Sequence, residues 1–113
     1  MQYMLQVIGF TNEEFAEGEG PTAEEFMGYQ QALVDAGINV NSGYLGDYQL
    51  ATSVQVDGSG EHVITNGPFP ETREYLGGWN IIDVPDLDAA LQWAVRNPGA
   101  RYGRIEIRPV LGA

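Results

Sequence analysis

Apolar and polar residues alternate in the first and last segments of the chain. In "MQYMLQVIGF" the apolar positions recur every second residue from Tyr3, and in "RYGRIEIRPV" Ile105 and Ile107 do the same. A period of two is typical of a β-strand with one buried face. The pattern predicts a first strand over Tyr3 to Phe10 and a closing strand whose arginine and glutamate side chains point outward.

The segment "PTAEEFMGYQQALVDAG" changes to the period of a helix. Its apolar residues fall on one helical face, namely Phe26, Tyr29, Leu33 and Ala36. Thr22 and Glu25 have the spacing of a capping box, and Gly37 is placed to end the helix in the left-handed conformation. Gly28 lowers helix propensity, which indicates close packing against a neighbour at that position.

A second helix is predicted after Pro85, where apolar spacing again becomes helical. Asp86 is the expected N-cap, and Asn97-Pro98-Gly99 is the expected end. The residues expected on its buried face are Leu87, Ala90, Leu91, Ala94 and Val95.

The middle of the chain carries a hairpin pattern. "LATSVQV" and "EHVITN" flank the turn-forming tetrad Asp57-Gly58-Ser59-Gly60. "GWNIIDV" predicts a further strand from Trp79 to Val84, and "INVNSGYLGDYQ" reads as a short extended piece followed by a loop. The predicted order is therefore β-α-β-β-loop-β-α-β.

This order predicts one α+β domain over residues 1–113 with a ferredoxin-like plan. In that plan two helices cover one face of an antiparallel sheet. If the other face carries apolar side chains, such as those of the hairpin and of Trp79, two copies must pack together to remove them from water. We therefore expect a homodimer.

The composition and the net charge limit the kinds of partner that the chain is expected to bind. The chain has 113 residues, 43% of them hydrophobic, and a net charge of -11 from sixteen acidic and five basic side chains. Such an acidic surface repels nucleic-acid phosphates and anionic membranes. No apolar run has the ~20 residues of a membrane span, and the opening segment lacks a basic start, so we expect a cytoplasmic protein.

Few residues of the sequence are candidates for a catalytic role. Cysteine is absent and His62 is the single histidine, so we expect no metal and no cofactor. Three side chains are weak candidates for proton transfer: His62, Tyr29 and Glu71. The alternatives are a surface or hydrogen-bonded histidine, a tyrosine of the helix core and a carboxylate in a solvated charged run.

"TNGPF" is the candidate binding segment. Asn66 ends a strand, Gly67 is free to adopt a positive φ, and Pro68 fixes the next bend. The segment is therefore a structural corner, and it is also a candidate cleft in which Phe69 and Trp79 form apolar walls. Both interpretations stay open at the level of sequence. Arg73 is either an anion ligand or a member of the same solvated run as Glu71.

With these residues in view, the chain resembles the YCII-related family, in particular the branch named for a "DGPF" motif. The resemblance runs from "VITNGPFPETREYLGGWNIIDVPDLDAALQWAV" through "ARYGRIEIRPV". It implies a ferredoxin-like dimeric α+β barrel with a small-molecule cleft, in a family of largely unassigned role. Some relatives are encoded beside or fused to sigma factors, which is an association rather than a chemical argument.

The chain departs from this family at two positions. Asn66 stands where relatives have aspartate, so a general base is not expected there. Wider family members are suspected of using a histidine on the first helix with an aspartate before a proline, but here Asn97 precedes Pro98 and the first helix has no histidine. A His-Asp mechanism therefore does not transfer.

Three functions follow from the sequence. The first is a small-ligand-binding homodimer with its cleft near Asn66 to Phe69, Arg73 and Trp79. The second is an enzyme that uses the same cleft. The third is a protein-interaction module, for instance one that serves a sigma factor, whose acidic surface meets a basic partner.

Overall fold

The computed structural model describes residues 1–10, 20–67 and 74–112. Within these residues six strands form, namely β1 (Gln2–Phe10), β2 (Asn39–Tyr44), β3 (Thr52–Val56), β4 (His62–Asn66), β5 (Glu74–Asp83) and β6 (Arg104–Pro109). The same residues contain three α-helices, namely α1 (Ala23–Asp35), α2 (Leu87–Arg96) and α3 (Gly99–Tyr102). A mixed α+β architecture is confirmed.

The main sheet has four antiparallel strands in the order β2-β5-β1-β6. Tyr3 of β1 lies opposite Ile82 of β5 on one side and Pro109 of β6 on the other. The register of β1 and β5 shifts between Val7 and Ile8, where Gly77 is the extra residue of a β-bulge. β5 begins five residues before the predicted start at Trp79, because its N-terminal half pairs with the end of β1.

One face of this sheet packs against α1 and α2. The buried core comprises Tyr3, Leu5, Tyr29, Leu33, Ile82, Val84, Ala90 and Ala94. Ile105 and Ile107 of β6 pack against it, as the alternation predicts. The sheet therefore has one helix-covered face and one face that no helix covers among the described residues.

Helix α1 has the predicted ends. The Thr22 hydroxyl accepts a hydrogen bond from the Glu25 amide (3.1 Å), and the Glu25 carboxylate accepts one from the Thr22 amide (3.0 Å). Gly37 has a φ of 72°, as a left-handed terminator requires. The expected close packing at Gly28 is wrong, because the residue is exposed and an added Cβ would meet no atom within 4 Å.

Helix α2 begins as predicted but buries a different face. The Asp86 carboxylate accepts a hydrogen bond from the Ala89 amide (2.9 Å). Ala90 and Ala94 are buried, whereas the larger apolar residues expected beside them, Leu87, Leu91 and Val95, are exposed. The small alanine side chains form the seam with the sheet, and this leaves the leucines on the outer flank.

The predicted hairpin forms, but not as part of the main sheet. β3 and β4 make a separate two-stranded sheet in which Val54 lies opposite Ile64 and Val56 opposite His62. The Asp57 carboxylate holds the turn by accepting from the Ser59 amide at 2.8 Å. The side chains of Val54 and Ile64 are 64% and 66% exposed. The expectation of a single sheet is therefore corrected.

The chain is less compact than its length predicts. The Cα radius of gyration is 16.1 Å, whereas a compact domain of similar length has a radius of ~13 Å. The principal extents are 47 × 41 × 19 Å, and the shortest is the thickness of two packed layers. The structure is therefore thin and more extended than a compact domain of this length.

Candidate functional site

A cavity of about 330 Å³ lies where the hairpin leaves the body. Its walls come from the segment 45–51, which joins β2 to β3, and from Tyr75 and Leu76 at the start of β5. Most of these side chains are apolar or aromatic, and Asp47 is the one charged residue among the described lining residues. A concave, largely apolar site with a few polar groups is typical of small-molecule binding.

The aromatic wall of this cavity is built by a short turn. Tyr48 begins a 3-10 turn that ends at Leu50, and the Asp47 carboxylate caps it by accepting from the Gln49 amide at 2.9 Å. The Tyr48 ring stacks on the Tyr75 ring, with centroids 4.1 Å apart and planes 13° apart. This face-to-face ring contact joins two chain segments at the cavity.

The predicted corner begins at the wall of this cavity. The Gly67 amide donates a hydrogen bond to the Ala51 carbonyl at 2.6 Å. Gly67 has a φ of 97°, which confirms the positive φ predicted for it. Asn66 is exposed at the end of β4. Four predicted site residues lie outside the described residues: Pro68, Phe69, Glu71 and Arg73.

Trp79 lies elsewhere, on the sheet face that the helices do not cover. Its indole Nε1 donates a hydrogen bond to the Asn41 side-chain oxygen (2.9 Å). Its ring lies on Gly43, where an added Cβ would come within 2.4 Å of Trp79 Cη2. Trp79 is absent from the described lining of the cavity. The structure therefore does not bring Trp79 together with Asn66 and Gly67 in one pocket.

The structure describes the surroundings of two of the three weak catalytic candidates, His62 and Tyr29. His62 is exposed on β4, opposite Val56 and on the same hairpin face as Ile64. Tyr29 is buried, and its hydroxyl donates to the Trp93 carbonyl (2.8 Å). Burial raises the pKa of Tyr29 to about 12, so the phenol stays protonated at neutral pH. This environment agrees with the helix-core interpretation of Tyr29.

A buried cluster of amides lies beneath the helices and was not predicted. The Asn97 side-chain amide donates to the Asn80 side-chain oxygen (3.2 Å). Asn80 in turn donates to the Ser42 hydroxyl (2.9 Å) and to the Gln30 side-chain oxygen (3.2 Å). Asn97 also accepts from the Gly99 amide (2.9 Å), which fixes the corner between α2 and α3.

The hydrogen bonds of this amide cluster indicate a structural role. Every buried side-chain nitrogen and oxygen has a hydrogen-bond partner among the described residues. Neutral amides do not take up or release protons near neutral pH, so the cluster positions elements and does no acid-base work. The signal in the sequence was Asn80, a polar residue at an inward position of the apolar strand "GWNIIDV".

A second cavity, of about 390 Å³, lies between α1 and β2. It is lined by Ala23, Phe26, Met27 and Tyr44. These residues expose no polar surface to the cavity, so nothing there would orient a ligand. The cavity beside the hairpin is the better candidate site.

The described residues contain ion pairs but neither a cluster of potential metal ligands nor a membrane-spanning helix. Within residues 1–10, 20–67 and 74–112, no three acidic or histidine side chains are grouped to hold a metal. No helix described by the structure has the length and apolarity to cross a bilayer. Arg104 pairs with Glu74 and Glu106, and Arg101 pairs with Glu25.

Comparison with known proteins agrees with this architecture. A stretch of 54 residues is 41% identical to an uncharacterized protein of Rhizobium meliloti (strain 1021), and it covers 46% of this chain and 44% of that protein. The matched stretch is thus less than half of either chain. The sequence matches the YCII-related domain family over residues 1–112. The chain therefore belongs to the YCII-related family.

Proposed function

We propose that this chain binds a small organic molecule in the cavity beside the hairpin. The observation that carries the proposal is that the stacked rings of Tyr48 and Tyr75 both line a concave, mostly apolar space. Aromatic walls favour planar ligands, because stacked rings attract one another beyond the area they bury. Asp47 and the net charge of -11 favour a neutral or cationic group on the part of the ligand that faces Asp47.

The corner segment belongs to this proposal because the described residues on both sides of it meet the cavity lining. Gly67 is bonded to Ala51 of the cavity lining, and the chain returns to the lining at Tyr75, two residues after Arg73. The segment between them therefore starts and ends at the cavity. Asn66, Pro68, Phe69 and Arg73 are the ligand contacts that we propose on this side.

We propose further that the chain works as a homodimer with the ferredoxin-like plan. The order β2-β5-β1-β6 with both helices on one face supports this plan. By alternation from the buried Tyr3 and Ile82, the uncovered face carries Met4, Trp79 and Ile81. Packing this face against its copy would hide these side chains and create a dimeric α+β barrel.

A thermal-shift screen with planar aromatic compounds, neutral and cationic, tests the ligand proposal. Compounds that stabilise the wild-type chain should lose this effect in Tyr48→Ala, because the variant removes one half of the aromatic wall. Tyr44→Ala is the matched control, since Tyr44 is also a tyrosine at the surface but lines the other cavity. Equal loss in both variants, or no stabilising compound, would contradict the proposal.

Sedimentation velocity at micromolar concentration tests the dimer. The wild-type chain should sediment at twice its mass of 12.3 kDa. Trp79→Glu should give a monomer, because it places a charge on the uncovered face. Val95→Glu is the control on the outer flank of α2 and should stay dimeric. The reverse result would move the dimer interface to the helices.

A second candidate function is a protein-interaction module, and one observation favours it. Leu87, Leu91 and Val95 recur every four residues on the exposed flank of α2. Such a stripe is a surface on which a partner helix can pack. A basic partner that binds the wild-type chain but not Leu91→Glu would support this function. Loss of ligand binding in that variant would not be expected.

A further inference from the structure

Asn66 is followed directly by Gly67, and this is the one Asn-Gly pair in the sequence. Glycine has no Cβ, so its backbone nitrogen can approach the side-chain carbonyl of the preceding asparagine without a clash. Asn66 is exposed to water at the end of β4. The pair therefore has the composition and the solvent access for an internal reaction between the Gly67 nitrogen and the Asn66 side chain.

In the closed hairpin this reaction is blocked by backbone geometry. Asn66 is in the extended conformation and pairs with Thr52, and the Gly67 nitrogen can attack Cγ only after the Asn66 backbone rotates out of this conformation. The Gly67 amide also donates its hydrogen to the Ala51 carbonyl at 2.6 Å. An amide that is held in this way cannot easily lose its proton or rotate toward Asn66.

The element that holds this pair is weakly supported. β3 and β4 form a sheet of two strands, and their side chains are mostly exposed. An isolated two-stranded hairpin is marginally stable in water, and such regions open locally without unfolding the rest of the protein. Opening at Thr52 and Ala51 releases both constraints on the Asn66–Gly67 pair at once.

We propose that Asn66 is a site of spontaneous deamidation that is controlled by opening of the β3–β4 hairpin. The Gly67 nitrogen loses its proton and attacks Cγ of Asn66, forming a C–N bond. The bond from Cγ to Nδ2 then breaks, and ammonia leaves with the transferred proton. The product is a five-membered succinimide, and no group is oxidised or reduced.

Water completes the reaction by adding to either carbonyl of the succinimide. Opening on one side gives aspartate at position 66, and opening on the other gives isoaspartate, in which the backbone runs through the side-chain carbon. Overall one water is consumed and one ammonia is released. Both products add one negative charge next to Ala51 and hence to the cavity wall. Isoaspartate also lengthens the backbone and so disturbs the pairing with Thr52.

The test follows deamidation by intact mass, by peptide mapping and by isoaspartyl methyltransferase labelling. Three samples are incubated at mildly alkaline pH: the wild-type chain, the same chain in urea, and Val54→Gly. The native chain should react at least about tenfold more slowly than the chain in urea, because the closed hairpin excludes the reactive geometry. Val54→Gly weakens the cross-strand pair with Ile64 and should react at an intermediate rate.

Two control variants test the site of deamidation and its dependence on the hairpin. Asn66→Gln should remove the product, because the longer glutamine side chain forms the cyclic intermediate poorly. Leu91→Gly destabilises the exposed side of α2 and should leave the rate unchanged. Equal rates in the native chain and in urea would overturn control by the hairpin. An unchanged rate in Val54→Gly would do the same, and product mapped to another asparagine would overturn the site.

Discussion

The four-stranded sheet and the β3–β4 hairpin use the same alternation of residues but are covered differently. Ile82 of the main sheet is 0% exposed, whereas Ile64 of the hairpin is 66% exposed. Helices α1 and α2 remove the first from water, whereas the second lies in a separate two-stranded sheet with most of its side chain exposed. Alternation therefore specifies a strand and its two faces, but another element decides whether a face is buried.

The largest effect on stability is expected for a substitution in the buried core of the main sheet. Ile82→Ala should lower the free energy of unfolding by ~2 to 5 kcal/mol, because it leaves a cavity among packed side chains. Ile64→Ala, which is the same change in the hairpin, should cost under about 1 kcal/mol in the monomer. Urea unfolding of both variants measures the difference. Comparable losses would show that the hairpin is buried in solution.

The next largest difference in stability is expected between substitutions of a buried and an exposed asparagine. Asn97→Ala should cost ~1 to 3 kcal/mol, because it leaves Asn80 and the Gly99 amide without their buried partner. Asn66→Ala removes an exposed amide and should change stability by under about 0.5 kcal/mol. Thermal unfolding with calorimetry separates the two. A small effect for Asn97→Ala would mean that water replaces the lost amide.

Two glycines give effects of opposite sign. Gly67→Ala should destabilise by about 1 kcal/mol, because its φ of 97° disfavours a side chain. Gly28→Ala should stabilise by ~1 kcal/mol, since it adds a better helix former at an open position of α1. Denaturant midpoints decide the signs. A neutral Gly67→Ala would indicate that the corner relaxes into an ordinary strand conformation.

The smallest effect is the response to acid. The Ser59 hydroxyl and nearby amides lower the pKa of Asp57 in the hairpin turn, and the Thr22 amide and Arg101 lower that of Glu25 at the start of α1. At pH values above its pKa in the unfolded chain, each carboxylate stabilises the fold. This contribution is lost as the pH falls through the lower pKa that the group has in the folded chain. Hydrogen exchange should show the hairpin turn opening in acid. Asp57→Asn should reduce this dependence in the turn alone.

Local signals made much of the fold predictable. The capping box at Thr22 and Glu25, the turn tetrad at Asp57 and the alternation around Ile105 each involve residues close in sequence. Such contacts depend on a few dihedral angles, so the pattern is sufficient to specify them. The positive φ of Gly67 belongs to the same group.

The remaining features depend on residues far apart in sequence. The spacing of α2 marked Leu87, Leu91 and Val95 as well as Ala90 and Ala94, and only packing at close range selected the alanines. The cavity likewise needs Tyr48 and Tyr75 to meet, which no local pattern shows. Gly67 is hydrogen-bonded to Ala51 of the cavity lining, whereas the Trp79 ring lies on the uncovered face of the sheet, and the spacing of these residues in the sequence does not distinguish the two positions.

The placement of the two tryptophans supplies an optical reporter for each layer of the protein. Trp93 packs on the helix side, edge-on to Tyr29 and with the Arg96 guanidinium 4.3 Å from its ring. Trp79 lies across the sheet from it, against Gly43. Indole emission depends on local polarity, so Trp93→Phe leaves a chain whose fluorescence reports events on the uncovered face alone. Trp79→Phe leaves a chain that reports loosening of the helix layer, without any attached dye.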